Sequence, residues 1–584
     1  MHATTHPMYW LRSVAHERGL DRVVLTHEVE RWIRWVGRFL SAIVLIGSVL
    51  AFAEYGAPRG HEYVAWEETA SVVSLTVAAL GLLIAWFWEP LGAAVALLAG
   101  VFVGALAAYQ YSVLIALGVA LMFMIPAGLF FLAWQRTQTW LSIIAVGAVM
   151  GVMLFLGGGM ALAFYDQGHG PTHPDSAVAP LPDSAVSWIW SGAVAQDAAV
   201  VTAKVVDGVG IRLAFTSTDS FDDARFVASS SRGPVHRFEL TGLESDTRYR
   251  YAVENAGVLD TTRTGTFATF GGAGDLAIAF AGCARTGSNG AVFDAIRLLE
   301  PDLYINTGDL HYGDVVTNSL DDFAALYDLT LSQPGQAALY RSTPIAYVWD
   351  DHDFGPNDAA ADSPSRQAAL LSYRENVPHY EFPLRGWDAP IAQAFSIGEV
   401  RFIMTDTRSA RDPAAHPDGP DKTMLGAEQL EWFLAELETS LDRYRLVVWV
   451  SSVPWIAAAE PGADHWGGYT HERERIANAI AEIGNEGLIM LAGDAHMVAI
   501  DDGSNSDYAA GGGGGFPVMQ SGALDRNGSV KGGPYSEGLH AGGGQFGLLT
   551  IADRGNEISV QMRGMTWDGT ELMSLDLVYP DGPS

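Results

Sequence analysis

The chain has 584 residues, which is too long for a single domain. Its 34 basic and 67 acidic residues give a net charge of −33, which argues against nucleic acid as a partner. Almost all of this charge follows residue 165, because the first 165 residues carry 8 arginines, no lysine and 9 acidic residues. Cys283 is the only cysteine, so no disulfide can form within the chain.

The first 165 residues have the composition of a membrane region. A polar, Arg-rich tail over 1–38 precedes five apolar stretches, at about 39–55, 70–88, 91–108, 112–134 and 139–164. Each stretch is close to the ~20 residues that a helix needs to cross a hydrocarbon core, and tryptophans cluster near the proposed ends. The sequence therefore predicts an α-helical membrane bundle of about five spans over 39–165.

Arginine placement predicts the orientation of this bundle. Cytoplasmic segments are enriched in Lys and Arg, so the tail and the loop containing Arg136 are expected inside the plasma membrane. Five crossings then place everything after residue 165 outside. The alternative is a signal peptide cleaved after Ala51–Ala53, which also leaves the remainder outside. Ionisable residues are almost absent from the spans, which argues against a transporter.

Two further segments precede the largest unit. Residues 166–182 have the Pro-rich, polar composition of a linker. From 183 to 270 short alternating runs such as Ile211–Phe215 and Tyr249–Val253 predict β-strands. The run Gly242–Tyr249 is similar to the tyrosine corner of fibronectin III and immunoglobulin-like folds, so a β-sandwich is expected.

Residues 271–584 have the pattern of a layered α/β domain. Strand-like runs end in polar residues and alternate with amphipathic segments such as 426–440 and 472–483. The predicted strands are 276–280, 302–306, 345–348, 401–404, 447–450 and 488–491. Because ligands collect at the carboxyl ends of strands in such sheets, the functional residues are sought there.

The stretch Trp349–Asp358 (WDDHDFGPND) follows one of these strands and carries the densest cluster of acids. It holds four aspartates and one histidine, and the acids repel one another unless a cation is present. An exposed acidic turn is the alternative. Similar strand ends occur at Gly282-Cys283, Asn306–Tyr312 (NTGDLHY), Asp406–Ser409 (DTRS) and Gly493–His496 (GDAH). Mixed O, N and S donors on separate strands predict a site for more than one metal ion.

These five stretches resemble the PhoD-type alkaline phosphatases of the calcineurin-like metallophosphatase superfamily. The resemblance implies an α/β metallophosphatase fold with iron and calcium as cofactors and a phosphate ester as substrate. Its implied metal ligands are Cys283, Asp309, Tyr312, Asp351, Asn357, Asp494 and His496. Of these, Cys283 and Tyr312 would bind iron, Asp309 would bridge two ions, and the hard oxygen of Asp351 would suit calcium.

The resemblance also implies two catalytic residues. His352 would face the substrate, stabilising phosphoryl oxygens or protonating the leaving alkoxide. Arg408 would contact the phosphate, with an ion pair to a nearby aspartate as the alternative. Asp350 and Asp353 are interpreted as ligands or hydrogen-bond acceptors, His311 and Asp314 as structural, and Arg285 as an aid to anion binding.

The sequence thus predicts a membrane-anchored, extracytoplasmic, metal-dependent phosphoesterase. The alternative is a non-catalytic cell-surface receptor or adhesion protein with a structural metal site. A structural site needs neither an unligated His352 nor an open coordination position, which favours the enzyme.

Overall fold

The computed structural model describes residues 27–55, 66–110, 113–134, 181–231, 233–272, 274–526 and 528–580. It divides into two compact units, Met1–Gln167 and Gly168–Ser584. The helices described in the first unit are α1 (His27–Tyr55), α2 (Trp66–Ala85), α3 (Glu89–Gln110) and α4 (Val113–Trp134). Helix α1 starts well before the predicted span 39–55, and its first turn carries Glu28 and Glu30, which favour a helix N-terminus.

Among these described helices, two contain apolar segments long enough to cross a membrane. They are Glu89–Ala107 and Leu117–Trp134, each with a mean hydropathy of 2.1, whereas Val73–Ala85 is apolar but shorter. Buried helices of soluble proteins and signal sequences share this length and composition, so membrane anchoring stays a prediction. The predicted span 139–164 lies outside the described residues, as does the predicted linker 166–182 except for its last two residues.

The second unit is built from strands and shorter helices. Its strands are β1 (Val186–Gly192), β2 (Ala198–Val205), β3 (Arg212–Thr216), β4 (Arg225–Ala228), β5 (Val235–Thr241), β6 (Arg248–Asn255), β7 (Val258–Leu259), β8 (Gly265–Ala268), β9 (Asp275–Ala281), β10 (Leu303–Asn306), β11 (Ile345–Tyr347), β12 (Gln393–Ile397), β13 (Val400–Met404), β14 (Leu446–Ser451), β15 (Leu488–Ala492), β16 (Met497–Asp501), β17 (Val518–Gln520), β18 (Leu539–Ala541), β19 (Gln545–Asp553), β20 (Glu557–Thr566) and β21 (Glu571–Pro580). Its helices are α5 (Ala291–Leu298), α6 (Leu320–Leu331), α7 (Pro334–Ser342), α8 (Asp351–Phe354), α9 (Arg366–Asn376), α10 (Ala427–Arg443) and α11 (Thr470–Ile483). The predicted α/β pattern is confirmed, since each of the six predicted strands and both predicted helices coincides with an observed element.

The strands form three sheets. One has nine strands in the order β21-β20-β19-β9-β10-β11-β1-β2-β5, and a second has seven in the order β12-β13-β14-β15-β17-β16-β18. The third has the order β4-β3-β6-β7, with β8 paired to β6. A single hydrophobic cluster joins residues of all three sheets, from Trp188 through Ile305 and Val448 to Met565. The two larger sheets therefore share one core, as expected for a layered α/β domain.

The predicted β-sandwich is continuous with the α/β part. Strand β1 pairs in parallel with β11, where Gly192 lies opposite Ile345, so β1, β2 and β5 extend the nine-stranded sheet. A Cβ on Gly192 would lie 2.5 Å from the Ile345 carbonyl oxygen, so only glycine allows this approach. Trp190 Nε1 and Thr202 Oγ1 both donate to the carbonyl of Asn376, which ties β1 and β2 to α9.

The expected tyrosine corner is present in the sandwich part. The Tyr249 hydroxyl accepts a hydrogen bond of 2.9 Å from the backbone N–H of Glu244. The Tyr249 ring stacks on Phe267, with 5.6 Å between the ring centroids. The bond therefore fixes the segment that leads into β6.

The topology gathers the polar strand ends at one edge of the core. Strands β9, β10 and β11 run parallel to one another, as do β13, β14 and β15. Their carboxyl ends therefore lead into Cys283, Asp309, Asp350 and Asp494 on the same side of their sheets.

Candidate metal centre and active site

Three strand ends reach the site through a glycine followed by a donor residue. Cys283, Asp309 and Asp494 follow Gly282, Gly308 and Gly493, and their φ angles are +58°, +55° and +67°. Such left-handed conformations cost non-glycine residues roughly 1–2 kcal/mol each, and they are common at functional sites. A Cβ on Gly282 would lie 2.4 Å from the Gly308 carbonyl oxygen, and one on Gly493 would lie 2.7 Å from that of Thr307. The glycines therefore let the three strand ends pack directly against one another.

Four carboxylates meet at this edge, and each is at most 6% exposed: Asp309, Asp350, Asp351 and Asp494. Each has one buried oxygen without a hydrogen-bond partner among the described residues: Asp309 Oδ1, Asp350 Oδ2, Asp351 Oδ1 and Asp494 Oδ2. Burial raises the pKa of Asp309 to about 6, with Asp351 and Asp494 adding to the effect. A buried carboxylate oxygen needs a donor or a cation, so this set fits metal ions.

The acids and histidine form two groups with the spacing of metal ligands. In each, the potential ligand atoms lie within 4.8 Å of one another: one is Asp309, Asp351 and His352, and the other is Asp351, Asp358 and Asp464. Asp351, a predicted ligand, belongs to both groups. Asp358 was predicted only as part of the acidic stretch, and Asp464 was not predicted from the sequence.

Predicted ligand Asn357 is exposed on the turn after α8. The next residue makes the contact with the site, since the Asp358 N–H donates to Asp351 Oδ2 at 2.6 Å. The acidic stretch was expected as a loop, but α8 makes one helical turn there, which buries Asp351 and Asp353.

Cys283, Tyr312 and His496 lie beside these carboxylates. Cys283 Sγ is 3.6 Å from Asp309 Oδ2, and the Tyr312 hydroxyl is 3.1 Å from His496 Nε2. Burial and the Asp309 carboxylate raise the pKa of both the Cys283 thiol and the Tyr312 phenol. A bound cation reverses this effect by favouring thiolate and phenolate, so the donor set fits a thiolate-binding metal such as iron.

His352 is held in place by an aspartate that the sequence had indicated as structural. Its Nδ1 lies 2.6 Å from Asp314 Oδ1, and its ring centroid lies 4.1 Å from that of Tyr312. Burial lowers the pKa of His352, but the carboxylates of Asp309 and Asp314 outweigh this and raise it to about 10. These carboxylates favour the protonated imidazole, in which Nε2 is a second donor.

His311 and Asp353 lie behind the site. The His311 backbone N–H donates to Asp353 Oδ1 at 3.1 Å, and the Asp350 N–H lies 3.2 Å from Asp353 Oδ2. Burial lowers the pKa of His311 to about 4, so its ring is neutral. These contacts support the backbone that carries the predicted ligands.

Arg408 is fully buried, and its guanidinium makes ion pairs inside the site. Its Nε donates to Asp350 Oδ1 at 2.5 Å, and its terminal nitrogens donate to both oxygens of Asp464 at 2.9 and 2.7 Å. Arg411 also pairs with Asp464, at 3.0 Å. This geometry corresponds to the alternative ion-pair interpretation, in which Arg408 positions two carboxylates.

Two cations at the site were not predicted, Arg526 and Lys531. Lys531 Nζ lies 2.5 Å from Asp494 Oδ1, and Arg526 Cζ lies 3.9 Å from the Tyr312 ring centroid. Neither belongs to a motif, although Lys531 is one of only three lysines in the chain. Arg285, the predicted anion contact, donates its backbone N–H to Asp525 Oδ1 at 2.6 Å.

Two packed sheets with carboxylate, imidazole and thiol donors at their parallel strand ends define an α/β domain of the metallophosphatase class. Residues 278–520 match the family model of the PhoD-like phosphatases. That part of the chain is therefore similar to the PhoD-like phosphatases, a family of phosphoric ester hydrolases.

Two individual proteins are similar to this chain. Alkaline phosphatase D of Bacillus subtilis (strain 168) is 27% identical over 235 residues, which cover 35% of this chain and only 40% of that relative. A solved structure of PhoD superposes with a TM-score of 0.55 at 19% identity, covering 69% of this chain and 92% of that one. The second comparison concerns the fold alone.

Proposed function

We propose that the chain is a membrane-anchored, metal-dependent phosphoesterase whose catalytic domain faces the outside of the plasma membrane. The observation that carries this proposal is the set of four buried carboxylate oxygens without a hydrogen bond, on Asp309, Asp350, Asp351 and Asp494, beside the His352 ring. The family of the matched residues points to a phosphate ester as the substrate.

The donor chemistry divides the site between two kinds of metal. Cys283, Tyr312 and His496 would hold iron, and the carboxylates of Asp351 and Asp494 would hold calcium, with Asp309 shared between them. When bound, these cations supply Lewis acidity at the phosphoryl group and neutralise its charge.

His352 is the residue proposed to meet the substrate. Its Nδ1 is committed to Asp314, so Nε2 is the donor available to a phosphoryl oxygen or the leaving alkoxide. Tyr312 packs against the ring and restricts its rotation. A fixed imidazole donor is effective because little reorganisation is needed when charge develops on the substrate.

Arg408 and Asp464 form an ion pair beside the carboxylates of the proposed metal site. Their bidentate pair is almost fully buried, since the side chains are 0% and 10% exposed. The pair fixes Asp464 beside Asp351 and Asp358, and Arg408 Nε fixes Asp350. The proposed role of Arg408 is therefore to position carboxylates.

The orientation of the chain rests on its arginines and apolar helices. The Arg-rich tail is proposed to stay in the cytoplasm, while α3 and α4 supply two of the proposed spans. The strongly acidic unit after residue 167 would then lie outside, where no nucleic acid partner is expected.

The test uses the full-length chain purified in detergent. Elemental analysis measures bound iron and calcium, and chromogenic phosphate monoesters and diesters measure turnover before and after chelation. His352→Ala is expected to abolish turnover and leave the metal content unchanged, whereas the exposed His416→Ala serves as the control. Full turnover by His352→Ala would refute the role of His352. A chain without metal or turnover would favour the non-catalytic receptor.

A further inference from the structure

A phosphate ester needs positive charge in a site lined by carboxylates. The buried guanidinium of Arg408 is already committed to Asp350 and Asp464. Arg411 is committed to Asp464 and to the Tyr469 hydroxyl. The predicted phosphate contact is therefore satisfied by protein groups, so a side chain that contacts the anion beside the metal ions must be sought elsewhere.

Arg526 has the position and the free donors for this role. Its guanidinium carbon lies 3.9 Å from the Tyr312 ring centroid, and the His352 ring lies 4.1 Å from the same centroid. Tyr312 thus brings the guanidinium and the imidazole to the same part of the site. Among the described residues, Arg526 makes no hydrogen bond or ion pair besides this ring contact, and it is only half-buried. Its planar fork of donors suits two phosphoryl oxygens at once.

Lys531 lies on the same loop, between β17 and β18, and reaches another side of the site. Its Nζ has one carboxylate partner, Asp494 Oδ1 at 2.5 Å, and its side chain is 38% exposed. An ammonium has three donors, so two stay available to a ligand. The other two lysines of the chain lie elsewhere, with Lys204 paired to Asp328 and Lys422 bonded to backbone carbonyls.

The backbone of this loop is anchored independently of the two cations. The carboxylate of Asp525, which is fully buried, accepts the Arg285 N–H. The Ser529 N–H donates to the His496 carbonyl at 3.1 Å, and the Gly533 N–H donates to the Ile456 carbonyl at 2.8 Å. The loop therefore presents its side chains from a fixed frame, which lowers the entropy cost of holding an anion.

From these contacts we infer that Arg526, assisted by Lys531, binds the phosphoryl group of the substrate. The inference rests on the proposed phosphoesterase function and assigns the anion contact within it. Both residues lie beyond the matched segment 278–520, so neither is assigned by the family comparison.

The experiment measures orthophosphate binding and ester hydrolysis by the metal-loaded, full-length chain. Arg526→Gln is expected to raise both KM and the orthophosphate inhibition constant by about 10- to 100-fold, since a hydrogen bond to a charged group is lost. Arg526→Lys, which keeps the charge and loses the fork, is expected to show a smaller increase. The increase in the melting temperature that orthophosphate gives the wild type should shrink in parallel.

Arg443→Gln is the matched control, because Arg443 also stacks on a tyrosine ring, at 5.3 Å, but lies at the end of α10. Elemental analysis of Arg526→Gln shows whether the substitution removes metal by disturbing the proposed ligand Tyr312. It thereby distinguishes a loss of metal from a loss of anion binding. Unchanged phosphate binding in Arg526→Gln would overturn the inference, as would a loss of metal that accounts for the lost activity. If the wild type hydrolyses esters but Arg526→Gln gives either of these two results, only the assignment of Arg526 as the phosphoryl contact fails. If the wild type neither binds phosphate nor turns over, the proposed function fails as well.

Discussion

Replacing Arg408 by methionine tests whether this residue positions carboxylates or binds phosphate. Arg408 is 0% exposed and joins Asp350 at 2.5 Å to Asp464 at 2.7 Å. Methionine keeps the unbranched side chain and removes the charge and all five donors. The two aspartates would then be left inside the protein without their principal partner.

The expected loss of stability follows from burial. Removing one member of a buried ion pair costs about 3–5 kcal/mol, because the remaining charge has no solvent to stabilise it. Asp464 keeps Arg411 at 3.0 Å, so Asp350 carries the larger share of the cost. Adding Asp464→Asn to Arg408→Met is expected to recover part of the loss, which a double-mutant cycle would measure.

Unfolding of the detergent-solubilised full-length chain, followed by tryptophan fluorescence, is the assay. Arg401→Met is the control, because Arg401 pairs with Glu436 at 2.7 Å near the surface, where such pairs contribute about 1 kcal/mol or less. The reasoning is refuted if Arg408→Met keeps its stability while KM rises tenfold or more. That result would make Arg408 the phosphate contact and would remove the premise for Arg526.

Three further predictions concern the site and its surroundings. Asp314→Asn is expected to lower kcat about 10- to 100-fold with little change in KM, because the aspartate orients His352; an equal change in KM would contradict this. Cys283→Ser is expected to lose most of the bound iron but keep its fold, as elemental analysis and circular dichroism would show; full iron content would exclude Cys283 as a ligand. Burial lowers the pKa of His379 to about 4, so the unfolded state takes up the proton first as pH falls below 6.5. Stability should therefore fall by about 2 kcal/mol between pH 7 and pH 5, and this part should vanish in His379→Phe.

The strand ends of the site could be predicted because the residues that mark them are neighbours in the sequence. Each buried strand is a short apolar run, and three of them end in a glycine and a donor, as in Gly308-Asp309 and Gly493-Asp494. The direction of a parallel strand then decides which end carries the ligand. The structure confirms these strands, and it adds that the donors adopt positive φ, which a sequence pattern of this kind does not specify.

Asp464 and Lys531 could not be predicted, because their roles depend on contacts between distant parts of the chain. Asp464 meets Arg408 across 56 positions, and Lys531 meets Asp494 across 37. Neither residue follows a strand, and surface loops rich in Gly and Asp are common. The pairing of β1 with β11 could not be predicted for a related reason, since it joins Gly192 to Ile345.

Metal binding and phosphate binding depend on different parts of the fold, the strand ends and a loop. The proposed metal ligands Cys283, Asp309 and Asp494 follow strands whose neighbours fix their register, so their geometry is determined by the sheets. Arg526 and Lys531 lie on a loop that is positioned by bonds such as Ser529 N–H to the His496 carbonyl. A loop can change its side chains without altering a sheet, because its residues do not determine strand register. Metal binding should therefore withstand substitution of the loop cations, while the affinity for phosphate should not.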